Sequence, residues 1–144
     1  MKIEVHEGFP EIEVIIKCPR VSDEVNKIES MLRSYDKKLS GVREGQTHMI
    51  DRQNVLYFES VDKRCFIYTA NDIYETSLKL YEIEEYMAEA GFIRSSKSQI
   101  INLLKIISLC PDFGGRMEVI MENGEKLIVS RQYTKLLKER LGLK

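Results

Sequence analysis

Phe92-Ile93-Arg94-Ser95-Ser96-Lys97-Ser98-Gln99-Ile100-Ile101-Asn102-Leu103-Leu104-Lys105-Ile106 runs from an apolar anchor to a polar, basic tip and back to an apolar anchor. Phe92 and Ile93 can hold one end in a core, and Ile100, Ile101, Leu103 and Leu104 the other. Between them, Arg94 to Gln99 offer two cations and several hydrogen-bonding side chains with no acid among them. A rigidly held loop of that composition suits phosphates and base edges. The plain alternative is an ordinary polar connection between two buried segments. Asn102, between apolar neighbours, is expected to satisfy loop backbone groups.

Outward from this stretch the chain reads as short strands with a few helices. Val55-Leu56-Tyr57-Phe58-Glu59 and Cys65-Phe66-Ile67-Tyr68-Thr69 are strands flanking a polar tip, Ser60 to Arg64. A short strand runs through Ile73-Tyr74-Glu75. Ser77 can cap a helix to Ala90 with Leu80, Ile83 and Met87 inward, Glu82, Glu84, Glu85 and Glu89 outward, and Gly91 closing it. A face so acidic would repel phosphate, which makes this helix scaffold. Met117–Met121 and Lys126–Val129 frame Asn123-Gly124, a strong hairpin signal because the turn needs positive φ. Ser130 stands where it can cap a last helix, Arg131 to Leu141. Arg131 in its first turn is unfavourable for the helix dipole, so its presence there asks for another reason: function, or a structural ion pair.

Upstream, Lys2–Val5 and Glu11–Ile16 alternate charged and apolar residues, predicting two short strands around Gly8 and Pro10. Ser22 caps an amphipathic helix whose stripe runs Val21, Val25, Ile28, Met31 or Leu32, Tyr35 and Leu39. That stripe either packs on the two strands or serves as a dimerisation arm or partner surface. Ser40-Gly41 marks the boundary, giving an N-terminal extension, residues 1–40, and a domain, residues 41–144.

The formal net charge is −1 over 144 residues, yet it is unevenly spread. Residues 1–91 carry 12 basic against 18 acidic side chains, residues 92–144 carry 10 against 5. Nucleic acid would meet the C-terminal part. Cys18, Cys65 and Cys110 have no C-x-x-C spacing and read as free thiols of a reducing compartment. His6 and His48 lack neighbouring ligands, so no metal or cofactor is expected. Gly114-Gly115 is followed by no phosphate-loop pattern, and no nucleophile–base pair or paired carboxylates suggest an enzyme. With no signal peptide and apolar runs far below the ~20 residues of a membrane span, a cytoplasmic protein is expected.

The order Phe92, Arg94, Ser98, Ile100-Ile101-Asn102, Ile106, Asn123-Gly124 and Val129-Ser130-Arg131 resembles the LytTR DNA-binding domain of bacterial transcription regulators. Val55 to Ser60 and Ser77-Leu78 to Met87 resemble further segments of that family, and the likeness covers about residues 42 to 144. It implies an α+β, predominantly β fold of short antiparallel sheets with short helices, here carrying an N-terminal strand–strand–helix extension. It implies a sequence-specific regulator whose loops enter successive major grooves of double-stranded DNA. By the same resemblance Arg131 reads a base, Lys97 reads DNA beside Ser96 and Arg94, unless Arg94 pairs instead with an internal acid, and Lys63 or Arg64 approaches from the preceding hairpin. Ser95, Ser96 and Lys97 depart from the commoner histidine- or asparagine-containing form, which bears on base preference. Family members usually bind paired direct-repeat elements, implying two protomers on one DNA. Residues 1–40 are too few for a receiver domain. The chain resembles stand-alone regulators, some of them held in check by a membrane-protein partner. A protein-interaction or adaptor module that has lost DNA binding is the alternative, fitting the Ser-Ser-Lys variation and the negative net charge.

Overall fold

The computed structural model describes residues 1–35, 38–88 and 90–143. Its centre is built from strands with apolar residues in adjacent pairs. Successive side chains of a strand point to opposite faces, so Phe92-Ile93 and Ile100-Ile101 demand cover on both sides. The structure provides it. Strands β1 (Lys38–Arg43), β2 (Gln46–Asp51), β3 (Val55–Val61), β4 (Arg64–Thr69), β5 (Ile73–Thr76), β6 (Phe92–Ser96) and β7 (Gln99–Asn102) form an antiparallel sheet in the order β2-β1-β5-β4-β3-β7-β6. Strands β8 (Ile106–Pro111), β9 (Met117–Met121) and β10 (Lys126–Val129) form a second sheet.

On one face of the large sheet, Phe58, Ile67, Phe92 and Ile100 pack with Ile83 of a short helix and with Met87 just after it. On the other, Tyr57, Ile93 and Ile101 pack with Val119, Met121, Leu127 and Val129 of the second sheet and with Leu137 of the last helix. A bulge between Val55 and Tyr57 lets Leu56 and Tyr57 enter the same core. Tyr57 stacks on Tyr68 at 4.2 Å, and its hydroxyl donates to Glu125 at 2.5 Å, joining the two sheets. Burial and then the Glu125 carboxylate push the Tyr57 hydroxyl pKa well up.

The hairpins expected around Asn123-Gly124 and between the strands at Val55 and Cys65 are present. Gly124 has φ of +86°, and the Asn123 side chain accepts from Glu125 N–H at 3.1 Å. Between β3 and β4 the turn is tighter than the polar tip read from sequence. Val61 pairs with Arg64, leaving Asp62 and Lys63 at φ of 50° and 67°, the geometry of a two-residue type I′ turn. Asn102 is 2% exposed, donates to the Val55 carbonyl at 2.8 Å and accepts from Leu104 N–H at 3.1 Å, as its sequence setting implied.

Five expectations need correction. The two strands read in residues 1–18 are not formed: these residues are exposed and lie in no strand. A two-stranded hairpin alone is marginal in water, and alternation supplies a pattern but no partner. Helix α1 spans Asp23–Tyr35 and does not reach Leu39, which is 2% exposed in β1 and paired with Ile50; residues 36 and 37 lie outside the described residues. The α1 stripe does not pack on preceding strands; the helix lies against the turn Arg52–Asn54. Gly41, read as punctuation, sits within β1 because a Cβ there would fall 2.6 Å from Tyr74 Cβ. Finally, α2 is Leu80–Tyr86, with Lys79 at its N-cap position and Glu82 accepting from the Lys79 N–H at 3.0 Å; Thr76, in place of Ser77, takes the Leu78 N–H. Glu89, expected on its acidic face, lies outside the described residues.

The fully buried Arg52 escaped the sequence reading. It lies over the Tyr86 ring at 4.1 Å. Burial lowers its pKa, and Tyr86 opposes that shift.

Candidate nucleic-acid interface

The tip expected over Arg94 to Gln99 is mostly ladder. Ser96 pairs with Gln99, so only Lys97 and Ser98 form the turn, and both are exposed. Beneath the turn, Ser96 Oγ accepts from Ser98 N–H at 3.2 Å. Arg94 donates to the Lys97 carbonyl at 2.6 Å and pairs with Glu84 at 3.4 Å, its side chain only 16% exposed. Ser95 is fully buried, its hydroxyl donating to Gln99 Oε1 at 2.9 Å. Of the expected contact residues in this stretch, Lys97 is free to meet a ligand, whereas Arg94 and Ser96 shape the turn that carries it. Glu84 also makes α2 more than scaffold, since one of its acids holds Arg94.

The register of β6 slips between Arg94 and Ser96, so Ser95 is a bulge residue. Its carbonyl turns to the last helix, α3 (Arg131–Arg140), and accepts from Ser130 N–H at 2.8 Å. Ser130 occupies the N-cap position, but its side chain makes no capping bond; its carbonyl accepts from Tyr133 and Thr134 N–H. Arg131 is thereby the first residue of α3, exposed, with no acid in the helix's first turn. The ion pair weighed as a rival reason for Arg131 is not made among the described residues.

A second backbone bond connects the other tip. Ser60 N–H donates to the Ser98 carbonyl at 2.8 Å, continuing the β3–β7 ladder, Glu59 to Gln99, out to the turns. Lys63 is exposed at the β3–β4 turn. Arg64 is the first residue of β4 and is held by Glu75 at 3.2 and 2.5 Å. The same contact raises the Arg64 pKa and lowers that of Glu75. Two hairpin tips and a helix start, each with an exposed cation, are thus joined by main-chain bonds.

Sequence reasoning missed the loop beside Arg131. Gly115, at φ of +81°, packs so closely that a Cβ there would lie 3.2 Å from Arg131 Cγ. In the same loop Phe113 is 87% exposed, while Arg116 donates to the Phe113 carbonyl at 3.1 Å and pairs with Asp112 at 3.1 Å. The Gly-Gly signal was visible, but without the fold it pointed nowhere. No helix among the described residues is long and apolar enough to cross a membrane.

The profile described as LytTr DNA-binding domain matches residues 45–142. An uncharacterized HTH-type transcriptional regulator of Staphylococcus aureus strain NCTC 8325 is 31% identical over 130 residues, covering 89% of this chain and 88% of the relative. Its counterpart in strain MRSA252 is 30% identical over the same length. Both matches extend into the N-terminal 40 residues. Among the described residues, however, no two helices follow one another as a helix-turn-helix would require. A solved LytTr DNA-binding domain from Bacillus cereus superposes with a TM-score of 0.70 at 24% identity, over 74% of this chain and 97% of that one. The family match over residues 45–142 and the structural likeness agree: the chain belongs to the LytTR DNA-binding domain family.

Proposed function

We propose that this protein is a transcription regulator that binds double-stranded DNA sequence-specifically, with the β3–β4 turn, the β6–β7 turn and the start of α3 entering successive major grooves. The observation that carries the reading is the pair of backbone bonds, Ser60 to Ser98 and Ser130 to Ser95, which fixes Lys63, Lys97 and Arg131 relative to one another. Arg131 is the first candidate for a base contact, since a guanidinium matches guanine O6 and N7. Lys97 is the second. Lys63 takes precedence over Arg64, whose guanidinium is already engaged by Glu75. Arg94 and Ser96 serve as supports of the Lys97 turn.

Two protomers on paired direct-repeat elements complete the proposal, with residues 1–40 as the arm that joins them or receives a partner, and residues 41–144 as the DNA-binding unit. The family resemblance also supports a membrane-protein partner that restrains the regulator in the cytoplasm.

The test is fluorescence anisotropy with DNA from upstream of the protein's own gene. Binding should weaken steeply between about 50 and 200 mM salt, because each neutralised phosphate contributes a slope of roughly 0.9 in log–log form. Absence of binding at the lower salt would overturn the reading in favour of an adaptor module.

A further inference from the structure

Residues 1–21 carry the pattern of strands without a strand's partner. They lie in no helix or strand and are exposed throughout. Ile3 is 81% exposed, Phe9 74% and Ile12 98%, with Val14 at 59% and Ile16 at 37%. An alternating segment is stabilised by cross-strand pairs and a covered face, and apolar side chains grouped in water mark an interaction surface. The solved Bacillus cereus domain, 97% of which is matched by 74% of this chain, offers no counterpart that would cover so long an arm.

The sequence of the arm identifies its occupant. Glu11-Ile12-Glu13-Val14-Ile15-Ile16-Lys17 is complementary to itself when two copies run antiparallel about Val14. Glu11 then faces Lys17 of the second copy, Ile12 faces Ile16, and Val14 faces Val14. One face of the ribbon is wholly apolar, and opposite charges meet at both ends. In a parallel pair Glu11 would face Glu11 and Glu13 would face Glu13, and like charges directly opposite are destabilising. The complementarity therefore selects both the partner and its direction.

We propose that the N-terminal arms of two copies of this chain pair antiparallel through residues 11–17, centred on Val14, and form the contact between protomers. This rests on the reading of residues 1–40 as an arm joining two protomers, and it needs no DNA. A central pair of cysteines lies within disulfide reach, since facing Cα atoms of antiparallel strands are about 4.5–5.5 Å apart and disulfides span about 4.4–6.8 Å.

The experiment uses the full chain carrying Cys18→Ser and Cys110→Ser, which removes the exposed thiols. Val14→Cys is added in one variant and Val5→Cys in another, and both are oxidised mildly without DNA. Val14→Cys should form a covalent dimer at least tenfold faster than Val5→Cys, which faces no copy of itself in this register. In parallel, the unaltered chain should sediment as a dimer and Val14→Asp as a monomer with an unchanged circular dichroism spectrum. Equal cross-linking of the two cysteine variants, or a monomeric unaltered chain, overturns the proposal. Anisotropy with DNA is read separately, so loss of DNA binding with an intact dimer would count against the proposed function alone.

Discussion

The N–H of Ser130 donates to the carbonyl of Ser95 at 2.8 Å, and this bond ties the start of α3 to the hairpin that presents Lys97. It exists because Ser95 is bulged out of the β6–β7 register. Ser130→Pro removes that donor while keeping a compatible backbone, since Ser130 has φ of −66°. Leaving the Ser95 carbonyl unpaired should cost about 1–3 kcal/mol, partly offset by about 0.4–1 kcal/mol from the stiffer unfolded chain. Ser130→Ala keeps the N–H and loses no capping bond, so its stability should stay within about 0.5 kcal/mol of the parent. Denaturant unfolding of both variants checks this. A cost of ~1 kcal/mol or more in the alanine variant would mean an ordinary side-chain cap.

Arg131→Ala should lower affinity for the specific DNA about 5- to 150-fold, corresponding to about 1–3 kcal/mol of base discrimination, while affinity for scrambled DNA changes little. Competition anisotropy with the two DNAs measures the ratio. An equal loss on both would reduce Arg131 to a phosphate contact.

Lys63→Ala and Arg64→Ala separate two neighbours that sequence could not. Lys63 is exposed at the turn, and Arg64 is occupied by Glu75. The lysine variant should reduce the salt slope by about 0.9, and the arginine variant should reduce it less. A larger effect of Arg64→Ala would show that its ion pair opens on DNA.

Asn102→Ala should destabilise the fold by about 1–3 kcal/mol, because the Val55 carbonyl and Leu104 N–H lose their partner inside the protein. Thermal unfolding should register the loss, with DNA affinity of the folded protein preserved.

Cys65 is 6% exposed, and burial pushes its thiol up to about 11. A raised pKa means that stability is complete below the unfolded value of 9.0 and declines as pH rises from there through about 11. At neutral pH iodoacetamide should label the exposed Cys18 and Cys110 promptly, and Cys65 only on unfolding. Glu75 gives the opposite limb. Arg64 holds its carboxylate below the ordinary range, so the contribution is present above that range and fades as pH falls through the lowered value. Glu75→Gln should flatten the acid side of a pH–stability profile.

The sequence made the central strands legible because adjacent apolar pairs such as Ile100-Ile101 have few other uses in a chain of this polarity. Asn123-Gly124 declared its hairpin through backbone conformation, and the buried duty of Asn102 followed from its neighbours. Interactions between distant residues were not legible. Glu84 reaching Arg94, and Glu75 reaching Arg64, engage two expected contact residues within the protein, and neither partner is near in sequence. Gly41 read as a linker because close approach to Tyr74 leaves no local mark. In the N-terminal segment, alternation showed a capacity to pair but could not say with what.

The division of labour at the β6–β7 tip bears on how such a protein changes over generations. Lys97 and Ser98 project from a turn whose shape is maintained by Arg94, Ser95, Ser96 and Gln99 underneath. A replacement at Lys97 alters what is offered to the outside while the supporting bonds persist. Under the proposed DNA-binding role, target preference can therefore drift one exposed residue at a time without passing through an unfoldable ancestor.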